Sequence, residues 1–191
     1  MRIGVLLSGR GSNFEAIVDS GIAVAVVASN KADAPGLEAA RRRGIPAVAV
    51  PVYSRPREEY DLALADLLRE HRVELVCLAG YMRLLTGAFV EAFRGRILNI
   101  HPSFLPAFPG LHAQRQALAA GVKTAGCTVH WVTEEMDAGP IVLQAEVPVL
   151  AGDSEETLSA RILREEHRIY PEAIRAVCQD IQSSHPSFPS R

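Results

Sequence analysis

The sequence has no apolar run near the roughly 20 residues that cross a bilayer, and no basic stripe of the kind that binds nucleic acid. Its 20 Lys and Arg nearly balance 22 Asp and Glu, giving a formal net charge of −2 and a pI of about 6.3. Cysteine is scarce: Cys77, Cys127 and Cys178 are far apart and odd in number, so neither a disulfide framework nor a CxxC zinc pattern follows. Reduced thiols and a cytoplasmic location are expected. The start, "MRIGVLLSGRGSN", has one early charge and a short apolar run without a small-residue cleavage site, so it reads as a first strand and not a signal peptide. What is present is 191 residues, 48% of them hydrophobic, enough to pack a sizeable core in a single compact domain.

Short apolar runs alternate with amphipathic segments. Residues 2–7, 22–29, 46–52, 73–80 and 96–100 read as strands, β-branched and nearly continuous in hydrophobicity, as strands covered on both faces must be. Helices are expected between them: "SNFEAIV" with a capping box from Ser12 to Glu15, "GLEAARRRG" stopping at Gly44, "REEYDLALADLLREHR" with Leu64, Leu67 and Leu68 on one face, and the shorter "TGAFVEAF". After Ile100 the rhythm changes. "HPSFLPAFPG" holds three prolines and reads as a fixed loop, "LHAQRQALAAG" as a helix, and "TAGCTVHWVT" and "PIVLQAEVPV" as two strands able to pair antiparallel. Residues 152–180 read as helical, with Asp153 as N-cap and Pro171 kinking or dividing the helix. The fold class expected is α/β: one doubly wound, mostly parallel but mixed, twisted sheet with helices on both faces, Rossmann-like. One domain is expected over 1–180, with 1–98 as a phosphate-binding half and 99–180 as the other half, and a disordered tail over 181–191.

"SGRGSN" follows the first strand and opens the first helix. Backbone N–H groups at a helix start form an anion site, and glycine allows close approach. The dinucleotide fingerprint fails: Gly9 and Gly11 give GxG, but Phe14 holds the third glycine position and Ser29 and Asn30 close strand two without an acid. A phosphomonoester on a small substrate suits Gly11, Ser12 and Asn13; a tight turn with no ligand fits the same residues.

"RILNIHPSFLPAF" ends an apolar strand in Asn99 and His101. Residues two apart on a strand share a face, and ligands of open α/β sheets sit beyond the carboxyl ends of strands. Together an amide and an imidazole can hold an oxyanion formed at a carbonyl carbon; the alternative is a polar strand end bonded to nearby backbone. Asp137, in "EEMDAGPIV", can orient His101 and accept a proton, or serve only its turn. His112 and His130 are further candidates, each read on its own as structural. No spacing matches a zinc site.

"LLSGRGSN", "SNKADA", "LAGYMRLL", "LNIHPSFLPAFPG" and "DAGPIVLQAEVPV", in that order, resemble the folate-dependent phosphoribosylglycinamide formyltransferases of purine biosynthesis, over residues 1 to about 175. The resemblance implies a formyltransferase-like fold and transfer of a formyl group from 10-formyltetrahydrofolate, the co-substrate, to the amine of glycinamide ribonucleotide, without a metal. It implies a catalytic trio of Asn99, His101 and Asp137, and nucleotide binding by Gly11, Ser12, Asn13 and Glu166. Folate contacts are implied for Arg57, for Met82, Arg83, Leu84 and Leu85, and for Val132, Thr133, Glu134, Glu135 and Met136. Residues 99–180 then form the folate and catalytic half. The partners are those two small molecules, with no nucleic acid and no membrane, in a monomer or homodimer. Three other readings stand beside it: a formyltetrahydrofolate hydrolase, which usually carries an extra N-terminal domain; a methionyl-tRNA formyltransferase, which carries an extra C-terminal one; and a non-catalytic sensor of a phosphorylated ligand, needing Gly11 to Asn13 but not the trio.

Overall fold

A computed structural model describes residues 1–52 and 55–183. One seven-stranded sheet carries β1 (Ile3–Leu7), β2 (Val24–Ser29), β3 (Ala47–Ala49), β4 (Leu75–Leu78), β5 (Ile97–His101), β6 (Thr124–Trp131) and β7 (Ile141–Pro148), in the order β3-β2-β1-β4-β5-β6-β7. The first five are parallel; β6 runs antiparallel to β5, and β7 antiparallel to β6, so the sheet is mixed as expected. The helices are α1 (Ser12–Asp19), α2 (Pro35–Arg42), α3 (Arg57–Glu70), α4 (Gly87–Ala92), α5 (Ala113–Ala119) and α6 (Glu155–Ser183).

The continuous apolar strands are explained by two cores. On one face Val5, Leu7, Cys77 and Leu98 pack with Phe14 and Ile17 of α1, Leu37 of α2, and Ile169, Tyr170 and Ile174 of α6. On the other face Leu6, Val26, Val76 and Ile97 meet Tyr60, Leu64 and Leu68 of α3 and Phe89 of α4. Every residue of β1 and β4 is buried, as a strand covered on both sides requires. Strand order reverses between β1 and β4, and the loops leaving their carboxyl ends flank the crevice where such sheets bind ligands.

Several local expectations give way. α1 has no capping box: its N-cap is Gly11, at φ 81° and ψ 24°, and no side chain bonds the first-turn amides. The left-handed turn at Gly11 brings the chain sharply into the helix, and Ser12 becomes its first residue instead of its cap. β3 forms over three residues only. The N-cap of α6 is Ser154, not Asp153: Thr157 N–H donates to Ser154 Oγ at 3.2 Å, and Ser154 N–H to Thr157 Oγ1 at 3.0 Å. Asp153 instead holds Arg161 at 2.7 and 3.0 Å and accepts the Leu150 amide at 2.7 Å. Nor does Pro171 divide the helix, which is one element of 29 residues. Ile169, Tyr170, Ala173 and Ile174 around it are buried, and their packing outweighs one missing N–H. α6 also continues to Ser183, three residues into the stretch expected to be a tail; residues 184–191 lie outside the described residues.

Replacing Ser154 with alanine should lower stability by about 1 kcal/mol. Thermal unfolding should show a fall in Tm of about 2–4 °C; an unchanged Tm would remove Ser154 from its capping role.

Candidate active site

β5 and β6 build the polar centre by their register. Asn99 lies opposite His130, and His101 opposite Thr128. Side chains directly across an antiparallel pair share a face, so the amide, both imidazoles and the Thr128 hydroxyl all point the same way. Asn99 Nδ2 lies 3.2 Å from His130 Nε2. His130 Nδ1 lies 2.9 Å from the Trp131 carbonyl oxygen; a carbonyl only accepts, so Nδ1 carries a hydrogen. In the singly protonated ring Nε2 then accepts from Asn99, leaving the second Nδ2 hydrogen free.

Two loops complete the cluster. The proline loop is fastened by Thr128 Oγ1, which donates to the Ser103 carbonyl at 2.7 Å and accepts the Leu105 amide at 3.0 Å. It returns the Phe108 carbonyl to within 3.1 Å of His101 Nε2. The β6–β7 loop delivers Asp137, whose Oδ2 lies 3.5 Å from His101 Nδ1 and whose Oδ1 lies 3.6 Å from His130 Nε2. The Gly110 N–H donates to Asp137 Oδ2 at 2.8 Å. Phe108 and Asp137 sit at φ 55° and 53°, a conformation that costs a side-chain-bearing residue of order 1–3 kcal/mol and clusters at functional sites. Gly139 is where this loop passes closest to β6: an added Cβ would overlap the Trp131 carbonyl oxygen.

The cluster is nearly dry, with side-chain exposure of 7% for His101, 2% for His130 and 12% for Asp137. Burial alone would raise the Asp137 pKa; the neighbouring His130 and His101 rings, which favour the carboxylate when protonated, and the hydrogen bond from the Gly110 amide outweigh it and hold the group below the usual aspartate value. His130, read from sequence as structural, therefore belongs to the cluster. Its only sequence signal is a polar residue on a strand face, without the pairing partner that gives it meaning. His112 does not join: it is exposed and caps α5 at φ 59°.

At the carboxyl end of β1 lies the glycine turn expected to take an anion. A side chain at position 11 would meet the Gly36 Cα at 2.9 Å, so only glycine fits. The first-turn amides have no side-chain acceptor and face an N-terminus that attracts negative charge. Asn13 Nδ2 donates to Glu166 Oε2 at 2.7 Å, joining α1 to α6 across 153 residues. Asn13 Oδ1 is buried without a partner. Burial pushes the Glu166 carboxyl above its usual pKa, partly offset by the Asn13 bond.

Between β4 and α4 the chain bears Met82 and Leu84, 65% and 56% exposed. Leu85 and Val132 each pack against the core on the α3 and α4 face. Arg83 lies with Cζ 4.5 Å from the centre of the Tyr60 ring. Arg57 Nη2 donates to the Leu84 carbonyl at 2.5 Å. Met82 N–H donates to Ser8 Oγ at 2.8 Å, and Ser8 donates to Asn30 Oδ1 at 2.5 Å, tying this loop to the anion turn. Opposite it, Thr133, Glu134, Glu135 and Met136 are exposed, and the Glu134 carboxyl comes within 3.5 Å of where a Cβ on Gly87 would stand. Glu134, of the second expected wall, thus lies next to the start of α4, which follows the first.

Other features lack this convergence. Burial pushes the Cys127 thiol up to about 12 and raises that of Cys77, so neither is a thiolate nucleophile at neutral pH. Among the described residues no group of three or more His, Cys, Asp or Glu side chains could hold a metal ion, and no helix is long and apolar enough to cross a membrane. A 260 Å³ concavity lined by Met1, Ile3, Ile22, Ala23, Ile174, Arg175, Cys178 and Gln179 lies at the amino ends of β1 and β2, away from this chemistry.

Residues 1–174 match the family model described as Formyl transferase. The chain is 49% identical over 178 residues to the phosphoribosylglycinamide formyltransferase of Escherichia coli K12, covering 90% of this chain and 84% of that protein. It is 50% identical over 182 residues to the trifunctional purine biosynthetic protein adenosine-3 of Drosophila pseudoobscura pseudoobscura, covering 91% of this chain but only 13% of that longer protein. Among solved structures, glycinamide ribonucleotide transformylase 1 of Symbiobacterium toebii superposes with a TM-score of 0.90 at 60% identity, covering 92% of this chain and 86% of that one. The phosphoribosylglycinamide formyltransferase of Bacillus halodurans gives a TM-score of 0.90 at 38% identity, covering all of both chains.

The raised Glu166 pKa has a stability consequence whose sign is fixed. A carboxyl with a folded pKa above its unfolded value contributes fully below the unfolded value, and that contribution is lost as pH rises through the folded one. Glu166→Gln, neutral at every pH, should gain in Tm relative to the unsubstituted protein as pH rises above about 4, the ordinary glutamate value. A Tm difference constant with pH would show that Glu166 titrates as an ordinary exposed glutamate.

Proposed function

The chain belongs to the formyl transferase family, and on that premise we propose that it transfers the formyl group of 10-formyltetrahydrofolate to the amine of glycinamide ribonucleotide. The products are formylglycinamide ribonucleotide and tetrahydrofolate, in purine biosynthesis. The observation that carries this reading is the meeting of Asn99, His101 and Asp137 at the end of β5, with His101 Nδ1 3.5 Å from the Asp137 carboxylate, on the same edge of the sheet as the uncapped amides of Gly11 to Asn13.

Attack of the amine on the formyl carbon puts negative charge on the formyl oxygen. The free hydrogen of Asn99 Nδ2 and the His101 ring stabilise that charge, and the nearly dry surroundings strengthen both. Asp137, ionised at neutral pH, orients the imidazole and relays the amine proton toward the departing folate nitrogen. The amine is already a competent nucleophile, so the chemistry requires neither a covalent enzyme intermediate nor a metal. Holding two small molecules in line supplies much of the acceleration.

Residues 1–98 bind the phosphate through Gly11, Ser12 and Asn13, and residues 99–180 contribute Glu166 to the ribonucleotide and all three catalytic groups. The pterin of the folate lies between Met82–Leu85 and Val132–Met136, with Arg57 bracing the first wall. Free Cys77, Cys127 and Cys178 suit a cytoplasmic protein.

The direct assay mixes the protein, 10-formyltetrahydrofolate and glycinamide ribonucleotide and follows the absorbance of deformylated folate. Release that depends on the amine is expected; equal release without it would make the protein a hydrolase. Asn99→Ala and Asp137→Asn should fold normally and lose on the order of 100- to 1000-fold in turnover, about 3–4 kcal/mol. Near-normal turnover in either would remove that residue from its role.

A further inference from the structure

Helix α3 meets the loop after β4 at three points on one face. Arg57, Tyr60 and Asp61 are spaced i, i+3 and i+4, which puts them on one side of the helix. Arg57 holds the Leu84 carbonyl at 2.5 Å. The Tyr60 ring, fully buried, carries the Arg83 guanidinium. Asp61 Oδ2 accepts the Thr86 N–H at 2.6 Å. Asp61 is 0% exposed, and its Oδ1 is buried with no hydrogen-bond partner. A half-satisfied buried carboxyl costs free energy, so stability does not explain its presence.

Thr86 does. It is the N-cap of α4, at φ −77° and ψ 158°, with Oγ1 accepting from the Phe89 amide at 3.4 Å. In a capping box the N-cap's own amide bonds to a Glu or Gln three residues on. Here that residue is Phe89, apolar and fully buried. Asp61 supplies the missing acceptor from a different helix.

Resting on the folate assignment above, we propose that Asp61 is a positioning residue for the formyl folate. It touches neither substrate. By holding the Thr86 amide it fixes one end of the Met82–Leu85 segment, while Ser8 Oγ holds the Met82 amide at the other. Between these anchors the exposed Met82 and Leu84 side chains are presented in one arrangement, ready for a flat apolar ring system.

Steady-state kinetics on D61A and D61N test this, each substrate being varied against a saturating concentration of the other. D61A should raise the KM for 10-formyltetrahydrofolate about tenfold, the equivalent of one buried hydrogen bond. Its kcat and its KM for glycinamide ribonucleotide should stay within about threefold of wild type, being set by other groups. D61N keeps an amide oxygen for Thr86 and should restore the folate KM to within about threefold. If D61A does not fold, T86P read against T86A gives the readout: both lose the Oγ1 cap of the Phe89 amide, and only T86P also loses the N–H that Asp61 accepts, at a φ of −77° that proline adopts. An unchanged folate KM, or both KM values rising together, overturns the role, as does a D61N variant as weak as D61A. Wild-type turnover separates the two readings. A wild type that transfers no formyl group defeats the functional assignment, whereas an active wild type with an unaltered folate KM in D61A defeats only the role of Asp61.

Discussion

The antiparallel register of β5 against β6 is the constraint on which the candidate site depends. Pairing Asn99 with His130 and His101 with Thr128 gathers four polar side chains on one face of two otherwise apolar strands. A slip of one residue would turn the whole set to the opposite face, into the core that α1, α2 and α6 cover. The neighbouring pair helps prevent it: β6 and β7 are matched from Thr124↔Pro148 through Val129↔Leu143, with an irregularity only at His130. A bulge there re-aims the local strand, beside the residue that joins Asn99 to Asp137.

The loops then work under strain set by that frame. Phe108 and Asp137 hold positive φ, and Gly139 passes where no larger residue fits. Such conformations persist when surrounding bonds over-determine them, and here they do. The Phe108 carbonyl has His101, Asp137 has the Gly110 amide and two imidazoles, and Thr128 pins the loop between Ser103 and Leu105. The groups are thus set before any substrate arrives, which is what electrostatic stabilisation of a developing charge demands.

α6 and α3 play matching parts on opposite faces of the sheet. α6 carries Glu166 to Asn13 on the nucleotide side and anchors itself through Tyr170, whose hydroxyl donates to the Leu78 and Leu98 carbonyls at 3.0 and 3.2 Å. α3 carries Arg57 and Asp61 to the loop after β4. Beside each of these segments one buried polar atom goes unpaired, Asn13 Oδ1 next to Glu166 of α6 and Asp61 Oδ1 on α3. Stability is given up where position matters.

The alternation of strands and helices, the glycine stop at Gly44, the antiparallel final hairpin and the shared face of Asn99 and His101 are legible in the residue order, because side-chain period and turn chemistry are short-range. Asp137 stood as a candidate on its own turn; the family resemblance joined it to Asn99 and His101 and added Glu166 and the two walls as expectations. Helix starts were misread by one residue at Ser12 and Asp153, since several neighbouring polar residues compete for one capping site. It is the folded chain that sets His130 against Asn99, brings Asp61 to Thr86 and keeps Pro171 inside a continuous helix. Each of these is settled by packing or pairing between segments far apart in the chain, and the energy of such contacts leaves no periodic trace in the residues that make them.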